Sequence, residues 1–318
     1  MNRVSRMLDS DYAYKNKVYG TGIGVAIVDT GICLHNDFNY DKNRILAFKD
    51  FVNNRKQPYD DNGHGTHIAG IVGGNGWSSK GRYMGIAPDC NLISVKVLDH
   101  KGDGKISDVL AGLQWIIDNK KRYNIRVVNI SVGTPSKDRG DENTLLVQGV
   151  NAVWNNDIVV VVAAGNNGPK PMSISTPGIS RKVITVGSSD DDIMVEVSGN
   201  KTKDYSGRGP TVSCIKKPDI VAPGSNIISC SSGRSSSHVK KKNRMFSNPN
   251  SSQTMYTIKS GTSMATPIVT GAIALLLSVN PEFTPKDVKT RLRDRALDLG
   301  QAKEKQGWGM LNIKKLLE

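Results

Sequence analysis

Four polar side chains that could take part in nucleophilic catalysis are spread along the sequence: Asp29, His64, Asn166 and Ser263. A serine hydroxyl attacks a carbonyl group when an imidazole removes its proton, a carboxylate can hold that imidazole, and an amide can donate to the oxyanion that forms. Each residue also has an ordinary structural interpretation: a turn-capping carboxylate, a core histidine, a turn asparagine and a helix cap. All four stand at predicted strand ends or helix starts. The structural interpretations therefore explain the pattern only if all four of them are true at once.

The sequence around each candidate favours the chemical interpretation. Asp29 follows an apolar run, so it would stand at the carboxyl end of a strand, the edge at which open α/β sheets bind ligands. His64 has glycine on both sides, which leaves room for another chain to approach. Ser263 lies where a polar stretch gives way to an apolar helix, whose positive N-terminal end would stabilise negative charge on its oxygen. Asn166 follows a further predicted strand, where its amide could point at that charge.

Short β-branched runs alternate with helical patterns along the first two thirds of the chain, which predicts buried parallel strands joined by helices. The predicted strands are Val25–Val28, Leu92–Val97, Val127–Ile130, Ile158–Val162 and Val183–Val186. Apolar residues recur at helical spacing from Ile106 to Ile117 and from Leu145 to Trp154. We therefore expect an α/β fold: a doubly wound, mostly parallel sheet with helices on both faces.

Two further helices are predicted near the C-terminus. The first is the strongly apolar stretch from Ser263 to Ser278, and the second is capped by Thr284, has Pro285 at its first position and ends at Gly300. The most sustained apolar run, around residues 272–279, is shorter than the roughly 20 residues that cross a bilayer. We therefore expect no membrane span.

Length and composition indicate one soluble globular domain over residues 1–318. The chain has 37% hydrophobic and 23% charged residues with 32 glycines, which excludes fibrous and disordered proteins. Residues 1–18 would form an N-terminal extension, and residues 231–253, rich in Ser, Asn and Lys, a polar, basic and mobile surface insertion. The net charge of +14 serves solubility or favours acidic partners.

Three other kinds of site are not favoured. Gly20, Gly22 and Gly24 resemble the start of a dinucleotide fingerprint, but they precede a strand instead of following one. His64 and His67, three residues apart, could ligate a metal ion, but no thiol or further histidine motif stands beside them. The four cysteines include no C-x-x-C pair, which argues against zinc, and we expect reduced thiols.

Several motifs resemble the signatures of the subtilisin-like serine peptidases. They are Val-Asp-Thr-Gly at 28–31, His-Gly-Thr-His at 64–67, Ala-Ala-Gly-Asn at 163–166 and Gly-Thr-Ser-Met-Ala-Thr-Pro at 261–267. Segments 205–210 and 217–224 also match, so the resemblance extends from about Tyr19 to about Trp308. It implies a subtilisin-like fold and a serine endopeptidase that works through an acyl-enzyme, with the bacterial intracellular, AprX-like members nearest.

The resemblance also implies a role for each candidate. Ser263 would be the nucleophile, His64 the base and then the acid, and Asp29 the group that holds the imidazolium. The side-chain amide of Asn166 and the backbone N–H of Ser263 would bind the oxyanion. The competing function is a catalytically idle relative that binds peptides or scaffolds partners.

In family members the substrate lies extended along a short segment after a central strand, held by backbone hydrogen bonds that read no side chain, so we expect broad specificity. The substrate-binding residues implied by the resemblance are Ser131, Val132, Gly133, Ala163, Ala164, Gly165 and Ser175. Ser175 would form the base of the pocket for the residue before the cut, and its small polar side chain implies uncharged residues of medium to large size there. Asp60 and Asp61 are interpreted as solvated loop carboxylates, with a preference for nearby basic substrate residues as the alternative.

Many secreted relatives bind a structural calcium ion through an Asn-rich loop that follows the histidine helix. The corresponding stretch 75–82 contains Lys80 and Arg82 where calcium would need oxygen ligands. We therefore expect no calcium there, and no metal ion or cofactor in the chemistry.

Location and partners follow from the same features. The first twenty residues lack the continuous apolar centre of a secretory signal, and nothing before Val18 resembles an inhibitory prodomain. We expect a cytoplasmic protein, with a secreted mature fragment as the alternative, acting on protein or peptide substrates. The basic insertion would be a solvated spacer, a self-cleavage site or a surface for an acidic partner, and neither nucleic acid nor a membrane is expected as a partner.

Overall fold

The computed structural model describes residues 1–133, 143–233 and 255–318. Within these ranges the α-helices are α1 Asn2–Met7, α2 Asp11–Lys15, α3 Asn36–Asn39, α4 His64–Gly73, α5 Ile106–Asn119, α6 Leu145–Asn155, α7 Thr262–Val279, α8 Pro285–Arg295, α9 Lys303–Gln306 and α10 Ile313–Leu317. The strands are β1 Gly24–Asp29, β2 Ile45–Asp50, β3 Asn91–Lys96, β4 Ile125–Ile130, β5 Val159–Ala163, β6 Ile184–Ser188, β7 Val195–Val197, β8 Asn200–Thr202, β9 Ile220–Ala222, β10 Ile227–Cys230 and β11 Tyr256–Lys259. A short 3-10 helix covers Trp77–Ser79.

Seven strands form one parallel sheet in the order β2-β3-β1-β4-β5-β6-β9. After β1 the chain forms β2 at one edge of the sheet and then β3 between β2 and β1. It continues on the other side of β1 with β4. The carboxyl ends of β1 and β4 therefore flank the point where the strand order reverses, which is where open α/β sheets bind their ligands. Two antiparallel pairs, β7 with β8 and β10 with β11, lie outside this sheet.

Both faces of the sheet are covered, because successive side chains of each strand point to opposite sides. In β1, Val25 and Ile27 join the core that includes α4 and α7, whereas Ala26 and Val28 join the core that includes α5 and α6. This arrangement confirms the predicted doubly wound α/β fold.

Helix α7 lies at the centre of the larger core. It has 18 residues, and 83% of it is buried inside the protein. By length and composition alone it could cross a membrane, so the predicted apolar run 272–279 understates its extent. Its burial against β4, β5 and β6 is that of a core helix, which explains why its sequence is apolar on every side.

The five predicted strands are present, with ends shifted by one or two residues. Strands β2 and β9 of the same sheet were not predicted: β2 is a partly exposed edge strand and β9 has three residues. The second C-terminal helix ends at Arg295 instead of Gly300. The reason is that the main chain of Leu297 exchanges two hydrogen bonds with Met310, at 2.8 and 2.7 Å, and so becomes extended.

Residues 1–18 form α1 and α2, whose apolar side chains enter the larger core. Val4, Leu8 and Ala13 are each at most 1% exposed, so this extension packs onto the domain. Residues 234–253 of the predicted basic insertion lie outside the described residues.

Candidate active site

The carboxylate of Asp29 and the imidazole of His64 are hydrogen-bonded to each other. Nδ1 of His64 donates to the Asp29 carboxylate, with its two oxygens at 2.8 and 2.9 Å. Asp29 ends β1 and is fully buried, while the side chain of His64, the first residue of α4, is 23% exposed. Because Nδ1 holds its proton in this bond, Nε2 carries the lone pair that can accept a proton on the exposed side. The core-histidine interpretation is therefore wrong for His64, whereas Asp29 holds the imidazole and also accepts from the Thr30 N–H at 2.7 Å, as a turn-capping carboxylate does.

The carboxylate of Asp60 fixes the start of α4. It accepts hydrogen bonds from the main-chain N–H groups of Gly63 at 2.7 Å and Thr66 at 2.8 Å, and from the Thr66 hydroxyl at 2.6 Å. A carboxylate in this place satisfies N–H groups that the first helical turn leaves without partners and suits the positive end of the helix. Gly63 has φ +92°, a left-handed conformation that favours glycine, so the chain turns sharply into His64.

The interpretation of Asp60 and Asp61 as solvated loop carboxylates is corrected by the structure. Asp60 is only 2% exposed, because it is enclosed by its hydrogen bonds to the α4 terminus. Asp61 forms an ion pair with Lys96, whose Nζ lies 2.8 Å from Oδ1. Asp60 is therefore buried, and Asp61, with a side chain that is 21% exposed, is paired with Lys96, so both carboxylates already have partners within the protein.

Lys96 was missed by the sequence analysis. It ends β3, is fully buried, and donates from Nζ to the main-chain oxygens of Thr30 at 2.6 Å and Leu98 at 2.7 Å as well as to Asp61. It therefore ties together the three loops that follow β1, follow β3 and precede α4. A lysine inside an apolar strand was the available signal, because a fully buried ammonium needs polar partners.

His67, the other histidine of the motif, belongs to the buried core and has hydrogen-bond partners of its own. Its ring is fully buried, and Nε2 donates to the carbonyl oxygens of Ile227 at 3.1 Å and Thr257 at 3.2 Å. Burial, with a smaller effect of the Lys259 charge, lowers the pKa of His67 to about 3. His67 is therefore a neutral core histidine, and nothing in these contacts supports a metal ion between the two rings.

Ser263 lies at the N-terminus of α7. Its hydroxyl donates to the carbonyl oxygen of Ser131 at 2.8 Å, and the N-cap position of α7 is Gly261, two residues before Ser263. The helix-cap interpretation is therefore wrong. The residue is partly exposed at the same edge of the sheet as His64, because Ser131 follows β4, Asp29 ends β1, and these two parallel strands are neighbours. Rotation about its Cα–Cβ bond redirects the hydroxyl, and catalytic hydrogen bonds of this kind tighten when substrate is bound.

Asn166 is anchored to the first turn of α7. Its Oδ1 accepts from the main-chain N–H of Thr262 at 2.9 Å and from the Thr262 hydroxyl at 3.0 Å. Because the oxygen end of the amide is occupied, Nδ2 is the end available to donate. Gly261 makes this approach possible, since a side chain there would lie 3.2 Å from Nδ2. Asn166 is thus held against the residue that precedes Ser263, and Thr262 is a supporting residue that the sequence analysis missed.

The predicted substrate-binding residues lie at the carboxyl edge of the sheet. Ser131, Val132 and Gly133 follow β4, and Ala163 ends β5, which pairs with β4. Ala164 and Gly165 continue from it.

Ser175 lies next to both predicted substrate-binding segments, 131–133 and 163–165. This position agrees with its predicted place at the base of a pocket. A side chain at Gly165 would collide with its hydroxyl, and one at Gly133 would lie 3.2 Å from its Cβ. Asn167 donates to the Ser175 hydroxyl at 3.1 Å, so the surroundings of this hydroxyl are polar. The identity of the side chain that enters it stays a prediction.

The loop that corresponds to the calcium site of relatives does not fit a calcium ion. Its Gly76 carbonyl oxygen accepts from the N–H groups of Ser79 at 3.0 Å and Gly81 at 2.9 Å, which closes the loop on itself. The neighbouring carboxylate of Asp37 accepts from the N–H of Ser78 at 2.9 Å. Residues 75–82 contain no carboxylate of their own, whereas calcium takes six to eight oxygen ligands.

One group among the described residues has donor atoms close enough together to hold a metal ion. The donor atoms of His35, Asp37 and Cys230 lie within 4.8 Å of one another, and all three residues are buried. Nδ1 of His35 accepts from the Asp37 N–H at 3.1 Å, and Nε2 donates to Met255 O at 2.9 Å. Burial raises the pKa of the Cys230 thiol well above its usual value, which disfavours the thiolate that a metal ion requires. The group is complete as a hydrogen-bonded cluster, and the absence of a metal site stays a prediction.

Comparisons with known proteins agree with this geometry. A family model described as the subtilase family matches residues 20–309. The serine protease AprX of Bacillus subtilis (strain 168) is 44% identical over 280 residues, which are 86% of this chain and 61% of that protein. Subtilisin Savinase of Lederbergia lenta is 33% identical over 300 residues, 94% of this chain and 92% of that protein. The crystal structure of a cold adapted subtilisin-like serine proteinase gives a TM-score of 0.68 at 28% identity and covers 92% of this chain and 88% of its own. The chain thus spans well under the full length of AprX.

Proposed function

The chain belongs to the subtilase family and has the subtilisin-like fold expected from its motifs, and we propose that it is a serine endopeptidase. The observation that carries this proposal is the Asp29–His64 hydrogen bond at the edge of the sheet where α7 presents Ser263 beside the Asn166 amide. All four catalytic positions are filled, and no observation favours the idle alternative.

In the first half of the reaction, Oγ of Ser263 attacks the carbonyl carbon of the scissile peptide bond. Nε2 of His64 takes the hydroxyl proton, and the buried Asp29 carboxylate stabilises the imidazolium and holds its orientation. The tetrahedral intermediate collapses as its C–N bond breaks, and His64 returns the proton to the leaving amine. The product is an ester between Ser263 and the acyl part of the substrate.

The second half repeats these steps with water. His64 takes a proton from the water molecule, the oxygen attacks the ester carbonyl, and the proton returns to Oγ of Ser263 as the acid product leaves. In both halves the negative oxygen receives hydrogen bonds from Nδ2 of Asn166 and the main-chain N–H of Ser263. These donors are already oriented in the free enzyme, so little reorganisation opposes the charge as it develops.

Protein or peptide substrates follow from the family, and their placement is the finer part of the proposal. An extended peptide lies beside 131–133 and exchanges backbone hydrogen bonds with it, so specificity is broad. The residue before the cut enters between this segment and 163–165, over the Ser175 hydroxyl. Uncharged side chains of medium to large size suit this base, and a cleavage profile over a peptide library tests the preference.

The central test is labelling with a serine-directed fluorophosphonate, followed by mapping of the modified residue. The wild-type chain is expected to be labelled at Ser263 and to hydrolyse a peptide substrate, whereas His64→Ala is expected to lose nearly all of both. His100→Ala is the matched control, because His100 is exposed and lies outside the described contacts of the triad. Labelling of another serine, or equal labelling of His64→Ala, contradicts the assignment.

We further propose that the protein requires no metal ion or cofactor for this chemistry and that the 75–82 loop holds no calcium. Support comes from the closed loop and from the engaged Asp37 carboxylate. A cytoplasmic location is also proposed, supported by cysteines that are few and far apart in the sequence, unlike the dense disulfide framework of many small secreted domains. Cell fractionation with an antibody tests the location directly. The expectation that neither nucleic acid nor a membrane is a partner stays a prediction, as does an acidic partner for the basic insertion.

A further inference from the structure

A line of hydrogen bonds leads from the interior of α7 to the residue that bears the nucleophile. The hydroxyl of Thr270 donates to Oδ1 of Asn129 at 2.9 Å, and Nδ2 of Asn129 donates to Oγ of Ser131 at 2.8 Å. Oγ of Ser131 in turn donates to the main-chain carbonyl of Ser263 at 3.1 Å. Thr270 and Asn129 are fully buried, and Ser131 is 4% exposed, so water does not compete for these groups.

The direction of this line is set at its inner end. An amide offers an acceptor at one end and donors at the other, so the Thr270 proton determines that Nδ2 of Asn129 faces Ser131. Because Oγ of Ser131 accepts from Asn129, its own proton is directed to the Ser263 carbonyl. The Thr270 hydroxyl has one competing acceptor, the carbonyl oxygen of Thr266 one turn back at 3.0 Å. Removing the hydroxyl would leave Oδ1 of Asn129 without a donor among the described residues.

Ser131 joins two parts of the site. Its side chain holds the Ser263 main chain, its carbonyl oxygen accepts from the Ser263 hydroxyl at 2.8 Å, and it begins the segment 131–133 on which the substrate is proposed to lie. The position of the nucleophile relative to the bound peptide therefore depends on how Ser131 is oriented. Small displacements of reacting groups have large effects on turnover.

We propose that Thr270 is a positioning residue for Ser263, acting through Asn129 and Ser131. It lies seven residues beyond Ser263, two turns along α7, and its hydroxyl is directed to Asn129 and to the carbonyl oxygen of Thr266. The inference rests on the proposed peptidase function. Its distinguishing consequence is that loss of one buried hydroxyl lowers turnover more than it weakens substrate binding.

The test compares two variants of the full chain. Thr270→Val keeps the shape of the side chain and removes the hydroxyl, whereas Thr270→Ser keeps the hydroxyl and removes the methyl group. For hydrolysis of a short chromogenic peptide, we expect Thr270→Val to lower kcat about fivefold, the value of one ordinary hydrogen bond, with a smaller change in KM. Thr270→Ser is expected to retain turnover within about twofold of the wild type.

A second comparison asks whether the effect passes through Ser131. Ser131→Ala removes the bond to the Ser263 carbonyl, so adding Thr270→Val to this variant is expected to lower kcat little further. Residues that act through one chain of contacts are non-additive in this way. All rates are measured well below the melting temperature of each variant, with folding checked by circular dichroism. If Thr270→Val does not fold, Thr270→Ala carries the same expectations.

Several outcomes overturn the inference. Unchanged kcat in Thr270→Val, even with a lower melting temperature, shows that the hydroxyl is only structural. Equal losses in the Val and Ser variants show that the methyl group matters instead, and a full additional loss in the Ser131→Ala background shows that the effect bypasses Ser131. The proposed function fails separately, if wild-type protein neither hydrolyses the peptide nor becomes labelled at Ser263.

Discussion

Asp60 accepts two hydrogen bonds from Thr66, one from its main-chain N–H at 2.8 Å and one from its hydroxyl at 2.6 Å. The two residues enclose the first turn of α4, so the chain that carries His64 leaves its loop at a fixed angle. Besides the carboxylate of Asp29, which holds the His64 ring, a second buried carboxylate thus holds the helix that His64 begins.

Replacement of Asp60 by asparagine should destabilise the protein. The amide would place N–H donors against the N–H and O–H donors of Gly63 and Thr66, so at least one buried group would lose its partner. We expect the free energy of unfolding to fall by about 1–3 kcal/mol in urea denaturation. Asp157→Asn is the control, since Asp157 is exposed and has φ +54°, a conformation that asparagine tolerates. Equal stability of the two variants would show that Asp60 does not hold α4.

Replacement of Asn166 by alanine should lower turnover while leaving substrate binding nearly intact. In the proposed mechanism the amide donates to the oxyanion, a charge that develops only in the transition state. Removal of one such donor lowers kcat about 10²–10³-fold, a magnitude established on subtilisin itself. Steady-state kinetics on a peptide substrate measure kcat and KM separately. Asn156→Ala, an exposed position at the end of α6, provides the matched control. A near-normal kcat for Asn166→Ala would remove this amide from the oxyanion site.

Stability should fall on acidification partly because of His67. Burial holds its pKa at about 3 in the folded chain, below the value of 6.5 in the unfolded chain. Between these values the unfolded chain binds the extra proton, so this contribution to stability is complete above pH 6.5 and is lost as the pH falls towards 3. His67→Gln removes the titrating ring, and its unfolding free energy should change less steeply with pH over that window. His100→Gln, at an exposed site, should keep the wild-type slope, and identical slopes for both variants would contradict the assignment.

Chelation of calcium should not change thermal stability. Ligands that bind only the folded state raise the melting temperature, so removing a bound calcium ion would lower it. We expect the same melting temperature in excess EGTA, in excess calcium chloride and in untreated protein, measured by scanning calorimetry. A clear drop in EGTA that calcium reverses would reveal a site elsewhere in the chain.

The sequence was informative wherever a motif coincided with an element boundary. Asp29, His64, Asn166 and Ser263 were identified because each follows a strand or begins a helix, and those are the places that a doubly wound sheet brings to one edge. The sheet itself was predictable from its fully buried strands. The edge strand β2, whose side chains are partly exposed, gives no such pattern.

Contacts between distant segments could not be predicted in the same way. Asp60 looks like a loop carboxylate until the folded chain places Gly63 and Thr66 around it. Lys96 stands in an apolar run, and its three oxygen partners come from separate loops. Which polar groups become buried together depends on tertiary packing that one sequence does not specify.

The order in which the site is assembled has a consequence for synthesis. Asp29 and His64 are both present early in the growing polypeptide, but Ser263 arrives on a helix that must lie against β4, β5 and β6 before its first turn meets Asn166. While residues up to 279 are still being synthesised, the segment that carries Ser263 cannot yet take this position. The serine therefore joins the Asp29–His64 pair only after α7 has been made and has packed against the sheet.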